Sequence, residues 1–302
     1  MKHLTVGIFG DNELVKKLGK KGTCNDIEIY NHGSSEGVFT YVCVNSEKIQ
    51  PVLQVLSMID IPVVVVKELT KEIGEAIIAI DARGFEKGYI LINNSDSIKG
   101  FIKGTCLENF QILEDDANIL RQELSKVEIE KNNNDVLVPI DNAFAVKSIG
   151  TVILGLVKQG KVKKHDKLML EPVGKEVLIK GIQSQDRDIE EAGVGMRVGL
   201  NLKGAEADDI RRGYIICKSA KKAREFTIEF EKSKYNKEEL KSGIQIFLNI
   251  GLQVSVAILQ SLEGNQLKLK TEHELTYQEN EKCIIASTKG TPPRIIGKGK
   301  IL

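Results

Sequence analysis

Residues 140–163 read IDNAFAVKSIGTVILGLVKQGKVK, and this stretch decides the fold of the C-terminal half of the chain. Thr151–Val157 is a short apolar run, and Gly150, Gly155 and Gly160 punctuate it. Glycine accepts the backbone angles of tight turns and lets strands approach closely. The same texture continues through Leu168–Glu171, Val177–Ile182, Arg197–Leu202 and Tyr214–Cys217, with no convincing helix between. Short apolar runs alternating with glycine-containing turns predict a small closed barrel. Lys218–Arg224 is a basic joint. Beyond it Phe226–Phe230, Gln245–Asn249, Val254–Leu259, Leu267–Lys270, Cys283–Ala286 and Ile295–Leu302 repeat the all-β pattern. These runs predict a second barrel.

Upstream the pattern changes. Leu4–Phe9 is a buried-strand run, Leu14–Lys21 reads as a short helix, and Ile27–Tyr30 and Val38–Val44 read as strands joined by a turn at residues 32–35. Ile49, Val52, Leu53 and Leu56 recur at helical spacing. Ile61–Val66 is the β-branched run of a strand buried on both faces. Ile73, Ala76, Ile77 and Ile80 form a second helical stripe that Gly84 ends. A strand at Tyr89–Ile92, a short helix through Ile98–Ile102, a strand at Phe110–Leu113 and a helix at Ala117–Val127 complete the series. This alternation predicts an α/β domain with a mostly parallel sheet and helices on both faces. Glu128–Asp135 is a polar linker. The predicted domains are therefore 1–131, 136–218 and 222–302.

The bulk composition narrows the function. A chain of 302 residues with 41% hydrophobic residues and no long apolar run is a soluble globular protein of two or three domains. Leu4–Phe9 is too short for a signal peptide or a membrane span, so a cytoplasmic address is the default. The five cysteines are far apart, with no CxxC and no Cys/His cluster, so neither zinc nor a disulfide framework is expected. Cys43 and Cys283 read as buried free thiols. The net charge of +1 hides an asymmetry. Residues 1–133 carry 15 Lys+Arg against 20 Asp+Glu, and residues 134–302 carry 28 against 22. A basic C-terminal portion is compatible both with RNA contact and with an ordinary solvated surface.

Ile140-Asp141-Asn142-Ala143-Phe144, Gly150-Thr151-Val152, Glu191-Ala192-Gly193, Arg197-Val198-Gly199-Leu200, Leu202-Lys203-Gly204 and Arg211-Arg212-Gly213 resemble, in order, domain 2 of the EF-Tu superfamily of translation factors. The look is that of the selenocysteine-specific elongation factors and of initiation factor 2 gamma, and it is archaeal in character. Arg294-Ile295-Ile296-Gly297-Lys298-Gly299 resembles the end of the family's domain 3. The resemblance implies a GTPase-like first domain ahead of the two barrels.

The family's phosphate loop reads G-x-x-x-x-G-K-[S/T]. Its glycines let backbone N–H groups surround phosphate, and its hydroxyl holds Mg²⁺. This chain reads Gly10-Asp11-Asn12-Glu13-Leu14-Val15-Lys16-Lys17. Without a gap Lys16 falls on the family's lysine, but Val15 and Lys17 replace the glycine and the hydroxyl. With a deletion, which is the preferred alignment, the helix runs straight on and no loop remains. Either way Asp11 and Glu13 bring negative charge to the phosphate position. Asn45 stands where the metal-linked aspartate belongs, and Thr23 is the sole candidate for a switch threonine. Asn93-Asn94-Ser95-Asp96 resembles the guanine-reading N-K-x-D motif, and equally reads as a turn in which Asp96 or Ser95 caps a helix. Gly10, Lys16, Asn93, Asn94 and Asp96 are thus a vestigial nucleotide site, with no catalytic group, no metal and no cofactor expected.

The resemblance further implies that domain 2 cradles the aminoacyl end of tRNA and that domain 3 grips its stem. The corresponding pocket residues are Asp141, Asn142 and Arg197, where Asn142 replaces a basic neighbour and makes a selenolate less favoured. The plain alternative is that Asp141 caps a turn and Arg197 pairs with a nearby acid. Lys161, Lys163, Lys164, Arg211, Arg212 and Arg224 are candidate contacts to an RNA backbone, and each is equally a solvated charge. The expected function is that of a non-enzymatic, elongation-factor-like protein. It would bind tRNA or the ribosome through its barrels, with another translation protein docking on domain 1 and with no membrane or DNA partner. A divergent factor that still binds GTP is the first alternative, and a protein scaffold without RNA affinity the second.

Overall fold

In the computed structural model, which describes residues 2–93, 96–128 and 134–302, His3–Phe9 (β1) is buried along nearly its whole length. A strand flanked by helices on both faces requires this. The α/β domain continues with Asn12–Leu18 (α1), Lys20–Cys24 (β2), Ile27–Ser34 (β3), Gly37–Val44 (β4), Ile49–Met58 (α2) and Ile61–Val65 (β5). Lys71–Arg83 (α3), Tyr89–Leu91 (β6), Asp96–Ile102 (α4), Gln111–Leu113 (β7) and Ala117–Lys126 (α5) complete it. The sheet order is β2-β3-β4-β1-β5-β6-β7. Its last five members are parallel, and β2, β3 and β4 pair antiparallel.

Side chains alternate between the two faces of the sheet. Tyr41 and Cys43 of β4 meet Leu14, Leu18, Leu120 and Leu124 of α1 and α5 on one face. Val42, between them, meets Leu53, Leu56, Ile77 and Ile80 of α2 and α3 on the other. Thr70 caps α3 by accepting from the Ile73 amide, and Gly84 ends it in the left-handed conformation at φ 72°. An L side chain is strained there, and glycine is not.

The helix expected over Leu14–Lys21 is shifted. Asp11 caps α1 early, the backbone extends at Gly19, and Lys20–Cys24 becomes an edge strand paired with β3. The linker expected over 128–135 lies largely outside the described residues.

Both barrels are present. Strands 167–171, 215–217, 137–146, 150–156, 197–203 and 175–184 are neighbours in that order, and the pairing of 167–171 with 175–184 closes the circle. Strands 221–232, 266–277, 253–263, 245–250, 282–287 and 295–301 form the second closed barrel. Closure removes the free edges that a sheet would otherwise expose. Leu252, Ile284, Ala286 and Ile295 of this second barrel share one buried cluster with α2 and α3. The outer side of the helical layer is therefore covered by the second barrel. Cys43 and Cys283 are buried free thiols.

Candidate functional site

In open α/β sheets ligands bind outside the carboxyl ends of the parallel strands, and a cleft of about 500 Å³ lies there in this chain. The crossing from β1 to α1 forms part of its wall. β1 ends at Phe9 and α1 starts at Asn12, so Gly10 and Asp11 alone connect them. Gly10 has φ +100°, and a Cβ on it would stand 2.2 Å from the Val65 carbonyl oxygen of β5. The glycine is explained by this close backbone approach. Asp11 Oδ1 accepts from the Glu13 amide at 2.9 Å, and its Oδ2 lies 2.6 Å from Lys67 Nζ. Burial alone would raise the Asp11 carboxyl, but the Lys67 and Glu13 hydrogen bonds outweigh it and hold the group below the usual carboxylate range. Lys16 points along the exposed face of α1 and pairs with Glu13 at 2.6 Å.

Glu47, Glu68, Glu72 and Glu75 line the cleft against Lys48, Lys67 and Arg294. Lys67 is taken by Asp11, and Arg294 by Glu75. These residues do not fit a nucleoside triphosphate with Mg²⁺: the two-residue crossing holds no phosphate loop, and carboxylates stand where phosphate oxygens would need donors. Asn93 sits just after β6 and is exposed. Asn94 and the Asp96 side chain lie outside the described residues.

Three of the charged residues singled out in the first barrel, Asp141, Arg197 and Arg212, come together elsewhere, at the meeting of the domains. Arg197 Nη2 lies 2.8 Å from Asp141 Oδ1, and Nε lies 3.3 Å from Oδ2. Asp141 is buried, and Thr23 of β2 stands 3.4 Å from the same Arg197 nitrogen. The guanidinium therefore spends its charge inside the protein. Asn142 turns its side-chain oxygen to its neighbour's amide, Ala143 N, at 2.9 Å.

Arg212, one of the RNA candidates, is engaged within the protein. It donates to both carboxylate oxygens of Asp26, at 2.8 and 2.9 Å, to Gln54 Oε1 at 3.1 Å and to the Asp141 carbonyl at 3.2 Å. Gln54 in turn donates to the Leu252 carbonyl of the second barrel at 3.3 Å. Arg212 thus ties together all three domains. Its hydrogen bond holds the Asp26 carboxyl below the usual range.

Two further polar contacts cross between domains. Arg294 Nη2 lies 2.5 Å from Glu75 Oε2 while its Nη1 donates to the Glu47 carbonyl at 2.9 Å. Lys158 donates to the Met58 carbonyl at 2.6 Å. Asp26, Gln54 and Glu75 carry no signal in the sequence, because each meets a partner more than a hundred residues away. Among the remaining candidates, Lys161 lies 2.9 Å from Glu191, Lys163 4.0 Å from the same carboxylate, and Lys164 3.2 Å from Glu190. Arg211 and Arg224 are exposed.

Comparison with known proteins agrees with this architecture. The family Elongation factor Tu domain 2 matches residues 150–217. Uncharacterized protein MJ0325 of Methanocaldococcus jannaschii is 36% identical over the whole of both chains. The selenocysteine-specific elongation factor of the same organism is 29% identical over 61% of this chain and 45% of its own length. The chain thus spans less than half of that elongation factor. The structure of translation elongation factor SelB from Methanococcus maripaludis, with the GTP analogue GPPNHP, superposes over 100% of this chain and 79% of its own, with a TM-score of 0.81 at 22% identity. A bacterial selenocysteine-specific elongation factor gives 0.82 at 18% identity, over 100% of this chain and 58% of its own. Residues 150–217 are an Elongation factor Tu domain 2, the whole chain has the fold of the SelB structures, and it belongs to one family with its full-length relative MJ0325.

Proposed function

We propose that this chain is a nucleotide-independent member of the translation apparatus that holds tRNA or a ribosomal partner on its barrels. The observation that carries this reading is the two-residue crossing from β1 to α1. A GTP switch works by grasping the γ-phosphate and Mg²⁺ and moving when they leave. With Gly10 and Asp11 in place of the loop, the barrels must be oriented by other means. The Arg212–Asp26, Arg294–Glu75 and Lys158–Met58 contacts supply such means, and none of them involves a nucleotide. The α/β domain then acts as a support and docking surface, in the cytoplasm. Arg211, Arg224 and the Lys161, Lys163 and Lys164 group are the proposed contacts to RNA phosphates.

A second reading, a protein-binding scaffold without RNA affinity, is favoured by one observation. The three lysines already face Glu190 and Glu191, which offset their attraction for phosphate. One experiment separates the readings: binding of labelled aminoacylated and deacylated tRNA, with and without GTP, at two salt concentrations. Tight, salt-sensitive binding that GTP leaves unchanged is expected. Replacing the three lysines together by glutamine should then weaken binding and lower the salt slope by about one unit per lost contact. No binding in any condition rejects the tRNA reading in favour of the scaffold. Binding that requires GTP returns the chain to the switching factors.

A further inference from the structure

A second cleft of about 500 Å³ opens between the C-terminal end of α3 and the second barrel. Its walls carry Arg83, Lys282, Lys298 and Lys300 against Glu229 and Glu231, an excess of two cations over carboxylates. Lys282 and Lys300 are directly opposed on the antiparallel strands 282–287 and 295–301. Like charges facing one another across a sheet destabilise it. Lys298 is matched by Glu231 at 3.6 Å. For Lys282 and Lys300, no carboxylate among the described residues lies within the 4.0 Å that defines an ion pair. Arg83 donates to the Lys282 backbone carbonyl at 3.4 Å and lies in the field of the Glu281 carboxylate. Lys282 Nζ also lies 3.5 Å from where a Cβ on Gly84 would stand, beside the last turn of α3. The partial negative charge at a helix C-terminus accounts for one ammonium there. Lys300 has Glu229 opposite it on strand 221–232, so two cations flank the cleft against one cross-strand carboxylate.

We propose that this cleft binds the phosphate group of a small molecule, held between Lys282 and Lys300. A phosphate dianion matches the excess of two positive charges, and ammonium groups bind phosphate as point charges. The cleft has the volume of a small-molecule site. Glu229 and Glu231 on its wall repel a continuous polyanion, so the ligand is a single phosphate or diphosphate group and not an RNA backbone. That group is either a free anion or the phosphorylated end of an oligonucleotide, and both present the same chemistry to the two lysines.

The test is isothermal titration of the full chain with sodium pyrophosphate, at constant ionic strength and without divalent cations. Saturable binding is expected. The Lys282→Gln/Lys300→Gln double variant should weaken it at least about tenfold, and Lys282→Arg/Lys300→Arg should retain it. Competition by a 5′-phosphorylated RNA trinucleotide, and not by its unphosphorylated form, identifies an RNA end as the source; failure of both to compete identifies a free anion. Absence of saturation up to about 10 mM overturns the proposal, as does equal binding by the glutamine variant. Circular dichroism of that variant checks that it is folded. The same variant leaves Lys161, Lys163 and Lys164 untouched, so failure here is distinguishable from failure of tRNA binding.

Discussion

Around the phosphate-loop position charges pair within the α/β domain: Lys16 with Glu13 three residues earlier, and Lys67 after β5 with Asp11 at the start of α1. At the junction of the domains they pair across the chain, as Arg212 does with Asp26 and Arg294 with Glu75. The first kind of pair decorates a helix end and costs little to break. The second fixes how whole domains sit. In a switching factor the crevice is the part that controls the junction. On the reading proposed above, the junction here is held by its own residues and the crevice serves packing and helix capping.

The largest effect should come from the most buried latch. The Glu75 side chain is 4% exposed and that of Arg294 15%. Removing one member of such a pair strands the other, at about 3–5 kcal/mol. Arg294→Ala should therefore lower stability to urea by that order, and Arg294→Met with Glu75→Leu should recover much of it. A loss under about 1 kcal/mol would mean that the apolar cluster around Leu252 and Ile295, and not the ion pair, holds the second barrel to the helices.

A smaller loss is expected in the crevice itself. Gly10→Ala places a Cβ against the Val65 carbonyl at a backbone angle that alanine resists. Strain of this kind costs about 1–3 kcal/mol. Stability to urea should fall while tRNA affinity of the folded protein stays unchanged. A selective loss of ligand binding with stability intact would show that the glycine serves a ligand and not the β1–β5 contact.

Asp26 sharpens the comparison through pH. Its folded-state pKa is depressed, chiefly by the Arg212 hydrogen bond. A depressed carboxylate contributes stability that is present above the unfolded value, about 4, and lost as pH falls through the folded value. The contribution is modest, because the Asp26 side chain is 39% exposed. Asp26→Asn should flatten the acid limb of the stability profile below about pH 4 and leave the neutral region less stable throughout. Small-angle scattering at neutral pH should show a looser particle for the variant. An unchanged acid limb would assign the acid sensitivity to other carboxylates.

The range of each interaction determines how much of the molecule is legible in the sequence. The barrels can be read from Gly150, Gly155 and Gly160, and the α3 boundary from Gly84, because turns and caps are local chemistry. The shortened phosphate crossing can be read from Gly10-Asp11 for the same reason. Lys20–Cys24 escapes because a run with two lysines and a glycine has no strand pattern of its own. Its pairing with β3 makes it a strand. The Arg197–Asp141 pair is open to sequence reasoning as an alternative, but its third neighbour, Thr23, comes from the edge strand that has no such pattern. Arg212 reads as a surface cation beside Asp208 and Asp209, yet Asp209 pairs with Lys175 instead. The partner of Arg212, Asp26, lies 186 residues away.

The smallest expected effect is also the one that can break the comparison outright. Lys16 is the residue that falls on a phosphate-binding lysine when the alignment is made without a gap, and it is exposed on α1 with Glu13 as its partner. An exposed pair three residues apart on a helix contributes little to stability. Lys16→Ala should leave the melting temperature within experimental error. Addition of Mg²⁺-GTP across a millimolar range should shift neither the wild type nor the variant, since a ligand stabilises in proportion to its binding to the folded state. A GTP-dependent rise in the wild type that Lys16→Ala abolishes would mean that α1 can unwind to rebuild a phosphate loop. The crevice would then control the junction after all, and the domain latches would be the off state of a switch.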